Sequence, residues 1–330
     1  MRMCFRPFVV IFLVWCASAV GAAGADASKG CTVSIKNDVD VAPAAELATT
    51  KGRPDIVTLE NSVIRVSSIP NRGRLIFDYV YKPTGRSYLY NKTSPMPTTT
   101  DKGYFMEFGG CYVSHPWNAG ANQPHDLEYE VTRKSPEECA IRIHKKDPET
   151  AIGLEAVISV KKKDPAVYVE IKLVNAGKKD RTIDFFDRAV VSTGEKMNRE
   201  TRVVLPEGVD AVTVGRNADG WMGSEGKALP WPQPWRQWGE FKNEGRFHAD
   251  LTRAKKRVLA VHDPKAKESF VKEWSEETPF RKVEISSFGP AWEDTFGAYP
   301  GFTVTTTAEK LVIPAGGSKR FEIKLYVSRD

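Results

Sequence analysis

The segment AVYVEIKLVNAG, residues 166–177, indicates the fold class of this chain. Its apolar and polar side chains alternate with a period of two. The apolar positions are Val167, Val169, Ile171 and Leu173, and the polar positions between them are Tyr168, Glu170 and Lys172. Because successive side chains of a β-strand point to opposite faces, the segment predicts an antiparallel strand with one face on a core. KRFEIKLYVS, residues 319–328, repeats the pattern.

Short runs of the same kind fill the chain between residue 55 and residue 330. They are rich in β-branched and aromatic residues and are separated by turn signals. Examples are DIVTLEN (55–61), RLIFDYVYKPTG (74–85), CAIRIHKKDP (139–148), RTIDFFDRAVV (181–191) and KVEISSF (282–288). No window carries the apolar spacing of a core helix. The sequence predicts an all-β protein, one large antiparallel β-sandwich domain over 55–330 with few or no helices.

The first 54 residues have a different composition from the rest. Residues 1–25 carry Arg2 and Arg6, then an apolar run and then small residues, which is the pattern of a secretory signal peptide. Residues 26–54 are small, polar and Pro-containing, and are predicted to be a flexible N-terminal arm. The expected location is therefore periplasmic or extracellular, with no membrane segment after cleavage of the signal.

Charge and cysteine content give few clues to a partner. The formal net charge is +6, and removing residues 1–25 with their two Arg leaves +4. The Lys pairs are scattered along the chain, so no nucleic-acid partner is indicated. Three cysteines remain, Cys31, Cys111 and Cys139, which allow at most one disulfide and leave its pairing open. No motif for a metal or another cofactor is recognisable.

The stretch YFMEFGGCYVSHPWNAGANQPHD, residues 104–126, is predicted to be rich in loops and to line a polar pocket. His115 and His125 are candidate proton carriers, since His titrates near neutral pH, and Trp117 lies between them. The alternative is that each His only bonds to backbone in a tight turn. Glu293, beside Trp292 in another connection, is a candidate general base or an ordinary surface carboxylate.

The segment 215–248, called the Trp loop below, concentrates indole rings among Gly and Pro. Its rings are Trp221, Trp231, Trp235 and Trp238, and His248 ends it as a further candidate for catalysis. Indole faces stack well on the C–H face of a sugar ring. Two interpretations are open: the rings form a sugar-stacking platform, or they seal the core at a sheet end.

Four segments in this order resemble galactose mutarotase-like proteins, the superfamily of the aldose 1-epimerases. They are residues 59–91 with a Gly-Arg turn and the Thr84-Gly85 hairpin, 108–117 with a Gly-Gly pair, 167–186, and 311–327. The resemblance implies a β-supersandwich with a carbohydrate site on the open face of a large sheet, and it points to Arg74 as a ligand contact.

This sequence departs from the epimerase pattern at the residues that carry catalysis. The resemblance implies a His soon after Phe186, but the chain has Asp187 and Arg188 there. It also implies a Glu shortly before the closing hairpin, where FTVTTTAEKL has Thr. Simple mutarotation is therefore not expected, and Asp187 joins the catalytic candidates.

The sequence predicts an exported carbohydrate-binding protein, and it leaves open whether the protein also processes its sugar with a rearranged set of residues. The catalytic candidates are His115, His125, His248, Asp187 and Glu293, and the binding candidates are Arg74, Trp117, Trp221, Trp231, Trp235 and Trp238. Two alternatives stay open. One is a non-catalytic carbohydrate-recognition module, and the other is a structural exported domain that docks another protein through the Trp loop.

Overall fold

The computed structural model describes residues 30–37, 39, 55–91, 93–97, 104–114, 127–146, 151–194, 196–290 and 301–330. The strands of its first half are β1 (Thr32–Lys36), β2 (Ile56–Glu60), β3 (Ile64–Ile69), β4 (Arg74–Tyr81), β5 (Arg86–Ser87), β6 (Thr93–Pro97), β7 (Tyr104–Phe108), β8 (Gly110–Ser114), β9 (Glu128–Lys134), β10 (Glu138–Lys146), β11 (Ile152–Lys161) and β12 (Ala166–Asn175).

The strands of the second half are β13 (Arg181–Val191), β14 (Arg202–Val204), β15 (Ala211–Asn217), β16 (Ala228–Pro230), β17 (Gly245–Asp250), β18 (Val258–Asp263), β19 (Glu268–Trp274), β20 (Lys282–Ser287), β21 (Phe302–Ile313) and β22 (Ser318–Arg329). Short 3₁₀ helices lie at Pro70–Arg72, Ala218–Gly220, Pro234–Arg236 and Trp238–Glu240. No helix within the described ranges is long and apolar enough to cross a membrane.

The described strands form two large antiparallel sheets and one hairpin. The larger sheet has the order β1-β2-β3-β4-β8-β13-β21-β20-β17-β15-β16, with β5 beside β4. The smaller sheet has the order β14-β18-β19-β22-β12-β11-β10-β9, and β6 pairs with β7. The all-β sandwich predicted from the period-two segments is confirmed.

The core lies between the two sheets, where the apolar faces of the alternating strands meet. Phe185 of β13 stacks on Phe321 of β22, with ring centroids 4.9 Å apart. On β12, Val167, Ile171 and Leu173 are at most 1% exposed. Each strand therefore has an inner face on this core and an outer face away from it.

The structure differs from the sequence prediction in two places. Thr32–Lys36, inside the expected flexible arm, forms the edge strand β1 and pairs with β2. Tyr104–Phe108 and Gly110–Ser114, inside the stretch expected to be rich in loops, are the strands β7 and β8. In both places the sequence prediction gave more weight to the neighbouring Gly, Pro and small polar residues than to the short alternating runs. The structure shows that such neighbours are compatible with strand pairing.

Candidate functional site

A line of polar side chains crosses the outer face of the larger sheet. Neighbouring strands place its members directly opposite one another, in the order Tyr112, Arg188, Thr305, Glu284 and His248. We call these five residues the polar row. The residues on either side of each member in sequence point inward; Val283 and Ile285 around Glu284, for example, belong to the core. Strand alternation therefore directs the row outward.

Arg74 extends the polar row at its Tyr112 end. Its guanidinium lies over the Tyr112 ring, 4.1 Å from the centroid. Arg188 Nη1 donates a hydrogen bond to the Tyr112 hydroxyl at 3.0 Å, and Arg188 Nε donates to Thr305 Oγ1 at 3.1 Å. Arg74 and Tyr112 are buried, so this end is a cluster of two cations around one buried aromatic ring.

The glycine pair before Tyr112 fixes where that ring lies. A Cβ on Gly109 would lie 1.8 Å from the carbonyl oxygen of Tyr90, so only glycine fits at this close backbone approach. Gly110 has φ of +85°, a value that other residues rarely adopt. Both positions therefore require glycine. They bring β8 against β4, which sets Tyr112 beside Arg74.

The other end of the polar row is open and borders a groove of about 380 Å³. The groove is lined by Asp184, Arg246, Lys282, Glu284, Thr307, Glu309 and Lys310. Arg246 lies 3.7 Å from Glu284, and Lys282 lies 3.8 Å from Glu309. Both signs of charge and a hydroxyl therefore face one half-open space, an arrangement suited to an uncharged ligand with many hydroxyl groups.

His248 stands directly opposite Glu284 at the open end of the row. Burial lowers the pKa of His248 and Lys282 lowers it further, while the carboxylates of Glu284 and Glu309 act in the opposite direction. The imidazole is accordingly neutral near pH 7, and one of its nitrogens can accept a proton or a hydrogen bond. The Glu284 carboxylate opposite it can accept a hydrogen bond as well.

The lowered pKa of His248 predicts a pH effect on stability. The unfolded chain binds a proton near the ordinary His pKa of about 6.5, while the folded chain does not, so stability should fall as the pH drops below that value. His248→Gln should weaken this fall in urea unfolding measured at about pH 7.5 and about pH 5.5. His144→Gln, on the smaller sheet, is the matched control. Equal pH dependence in both variants would contradict the placement of His248.

Asp187, a catalytic candidate from the sequence, points to the inner face. It forms an ion pair with Lys272 of β19, and both side chains are nearly fully buried between the sheets. Lys272 Nζ also donates to Thr306 Oγ1 at 3.1 Å. Neighbouring strand residues alternate in direction, so Arg188 faces outward and Asp187 cannot. The structure thus corrects the catalytic assignment of Asp187 and gives it a structural role.

The Trp loop closes one end of the core. Trp231 and Trp235 pack on Phe247, with centroids 5.4 and 4.8 Å away, and Phe247 belongs to the inner face of β17. Trp235 is 8% exposed and Trp238 is 1% exposed. Rings this buried have no free face for a sugar, so the platform interpretation of Trp235 and Trp238 gives way to the core-sealing one. Trp221 and Trp231 are partly exposed.

Trp221 also packs toward the core, against Phe241 at 5.3 Å, and its indole N–H donates to the carbonyl oxygen of Glu244. The remaining candidates, His115, Trp117, His125 and Glu293, lie outside the described residues, and their roles stay predictions. Within the described ranges there is no group of three or more His, Cys, Asp or Glu side chains placed to hold a metal ion.

The sequence prediction missed Glu284, Thr305 and Tyr112. One signal for Glu284 was present, because KVEISS alternates polar and apolar residues and so directs Glu284 to the same side as Lys282. What one sequence lacks is the register between strands far apart in the chain. That register alone brings Glu284 opposite His248.

Comparisons with known proteins identify the fold. A TPR-domain containing protein from Parabacteroides distasonis matches with a TM-score of 0.67 at 11% identity, over 90% of this chain and 55% of that one. A galactose mutarotase-like protein from Clostridium acetobutylicum matches with a TM-score of 0.60 at 10% identity, over 91% and 99% of the two chains. Another from Lactobacillus casei matches with a TM-score of 0.54 at 14% identity, over 83% and 100%.

The first of these structures is much longer than this chain, which spans about half of its length. No family model matches the sequence, and no curated protein matches it. The agreement is therefore one of three-dimensional arrangement, and it covers nearly the whole of the two galactose mutarotase-like chains. This chain has the galactose mutarotase-like fold, built from a strongly divergent sequence.

Proposed function

We propose that the protein binds a carbohydrate on the outer face of the larger sheet, at the open end of the polar row around Glu284 and His248 and in the groove beside it. The observation that carries the proposal is the register that aligns Arg188, Thr305, Glu284 and His248 across four neighbouring strands. The fold supports a sugar as the ligand, since the structures it matches include galactose mutarotase-like proteins.

The chemistry of the row suits sugar hydroxyl groups. A hydroxyl both donates and accepts, so it pairs with the Glu284 carboxylate, with a guanidinium or with a neutral imidazole. The groove volume of about 380 Å³ lies in the range of small-molecule sites, roughly 300–1,000 Å³. Because the groove walls carry both signs of charge, the electrostatics favour a neutral sugar.

A second candidate function is catalysis at the same place. It is favoured by the cross-strand pairing of His248 with Glu284, since two titratable groups side by side can hand a proton to and from a bound sugar. Asp187 has no part in this version. A catalyst, unlike a binding module, would change the NMR spectrum of the sugar itself over time.

Export remains part of the proposal. It is supported by the composition of residues 1–25, with basic residues followed by an apolar run and small residues. Docking of another protein through the Trp loop is less well supported, since Trp235 and Trp238 are buried.

Glu284→Gln should weaken sugar binding about tenfold or more, because it removes a charged acceptor worth roughly 1.5–3 kcal/mol. An array of mono- and oligosaccharides identifies the ligand, and calorimetry then gives its Kd. Glu322→Gln is the matched control, since Glu322 lies exposed on the outer face of the smaller sheet.

Unchanged affinity in Glu322→Gln together with the loss in Glu284→Gln would support the proposal. No retention of any sugar by the wild-type protein would refute it, and so would equal affinity in the wild-type protein and Glu284→Gln.

A further inference from the structure

Two cysteine side chains approach each other where the first strand meets the smaller sheet. Cys31 directly precedes β1, and Cys139 lies in β10. The Cys31 thiol donates to the carbonyl oxygen of Val160 at 3.4 Å, and Val160 is the cross-strand partner of Cys139. The Cys139 thiol donates at 3.4 Å to the carbonyl oxygen of Thr32, the neighbour of Cys31. Each sulfur therefore lies against a stretch of backbone that adjoins the other cysteine.

The backbone holds this approach in place. The Cys31 N–H donates to the carbonyl oxygen of Pro136 at 2.9 Å, in the turn between β9 and β10. A Cβ on Gly30 would lie only 2.6 Å from the Cα of Pro136, so the chain passes that turn in close contact. Both cysteines are buried, with 7% and 0% exposure. The two sulfurs are therefore confined to one small space between the sheets.

We propose that Cys31 and Cys139 form a disulfide that fastens the edge strand β1 to the smaller sheet. The oxidant is another disulfide, either oxidised glutathione or a thiol–disulfide oxidoreductase. One cysteine thiolate attacks the oxidant, forms a mixed disulfide and releases one thiol. The second thiolate then displaces the second thiol. The oxidant gains two electrons, and the two protons of the cysteines end on its thiols.

The bond forms before β1 is fully docked. Burial raises the pKa of both thiols, that of Cys139 to about 12, and the thiolate is the reactive form. Oxidation of the closed structure is therefore slow. Among the strands that the structure describes, β1 pairs with β2 alone and ends the larger sheet, so local opening of this edge exposes the pair. Once β1 closes, the same burial protects the disulfide from exchange.

Cys111 provides an internal reference. It is buried on the inner face of β8, and burial together with the Asp187 carboxylate raises the pKa of its thiol. The charged groups that act on its thiol are Asp187, Lys272 and Arg74, and it lies opposite Ile76 of β4 in the larger sheet. We expect it to stay a thiol under conditions that oxidise the pair. The proposed disulfide between Cys31 and Cys139 does not depend on sugar binding.

The test is oxidative refolding of the chain without residues 1–25, and so without Cys4 and Cys16, in a buffer of oxidised and reduced glutathione. Free thiols are then alkylated, and the protein is digested without reduction and examined by mass spectrometry. We expect one linked peptide pair carrying Cys31 and Cys139, lighter by two hydrogens and split by dithiothreitol, while Cys111 is alkylated. Alkylation of both Cys31 and Cys139, or a link from either to Cys111, would overturn the proposal.

Stability supplies a second readout. Dithiothreitol should lower the Tm of the oxidised protein by about 5–10 °C, because the link closes a loop of more than 100 residues. It should leave the Tm of Cys139→Ser unchanged, and Cys111→Ser should behave like the wild-type protein. Equal response to dithiothreitol in the wild-type protein and Cys139→Ser would contradict the link.

Discussion

Lys272→Met should lower the free energy of unfolding by about 3–5 kcal/mol, because it leaves the Asp187 carboxylate charged and without its cation between the sheets. Lys272 and Asp187 are 2% and 5% exposed, and Thr306 is the hydroxyl that hydrogen-bonds to both. Methionine keeps the length of the lysine stem, so the change removes the charge with little change in packing. Urea unfolding followed by circular dichroism measures the loss.

The double variant Lys272→Met with Asp187→Leu should recover most of that loss. A buried ion pair replaced by apolar residues of similar volume is often neutral or stabilising. Lys324→Met is the matched control, because Lys324 pairs with Glu273 at 4.0 Å on the exposed face of the same sheet. An exposed pair of this kind contributes about 1 kcal/mol or less. A loss in Lys272→Met no greater than in Lys324→Met would contradict the account.

The Lys272–Asp187 pair also bears on function. If Asp187 serves only to join the sheets, the folded double variant should bind sugar as the wild-type protein does. If Asp187 had a catalytic or binding role, affinity or turnover would drop even though stability is restored. The double variant therefore separates the structural assignment of Asp187 from the catalytic one that its sequence position indicated.

Arg86→Met should cost about 3 kcal/mol, because Arg86 neutralises two buried carboxylates at once. Asp263 and Glu268 stand directly opposite each other at the end of the β18–β19 hairpin, 2% and 0% exposed. Arg86 Nη2 lies 2.5 Å from Asp263, and Arg86 Nη1 lies 3.5 Å from Glu268. Like charges in directly opposed positions repel when the cation is gone. Urea unfolding at neutral pH measures the cost.

Arg329→Met is the control for this prediction. Arg329 lies 3.6 Å from Glu268 but is 56% exposed, so its loss should cost about 1 kcal/mol or less. Adding Glu268→Gln to Arg86→Met should restore part of the stability, since only one carboxylate then remains. Equal losses in Arg86→Met and Arg329→Met would show that Arg86 does not neutralise the pair.

The group of Arg86, Asp263 and Glu268 also predicts how stability depends on pH. Burial raises the pKa of Asp263, but the hydrogen bonds from Arg86 and Asn198 outweigh it, and the pKa is lowered. A carboxyl group with a lowered folded pKa stabilises above its unfolded pKa of about 3.9, and the stabilisation is lost as the pH falls through the folded value. In Arg86→Met this contribution should be smaller.

The fold could be predicted from local pattern because strand alternation is a property of adjacent residues. AVYVEIKLV and RFEIKLYV show which side chains face the core without reference to any other segment. The edge strand β1 was missed because five residues among small polar neighbours give a weak signal. This segment becomes a strand because it pairs with β2, and the local sequence does not encode that pairing.

The candidate site was only partly predictable, because it depends on contacts between distant segments. Arg74 was found through its Gly-Arg turn, and His248 through its chemistry. Asp187 was a catalytic candidate because it follows Phe186, but it faces inward, since a one-residue shift along a strand reverses the side on which a side chain lies. The Trp loop lacks strand periodicity, so its sequence could not show that its rings turn toward Phe247.

Imidazole NMR of the histidines shows whether sugar binds on the outer face of the larger sheet. Protein labelled with ¹⁵N in histidine is titrated with the oligosaccharide that the array retains most strongly. Sugar bound beside Glu284 should shift the ring signals of His248, while those of His144 and His262 on the smaller sheet should stay in place. Saturable binding that moves His144 or His262 and leaves His248 unchanged would contradict it.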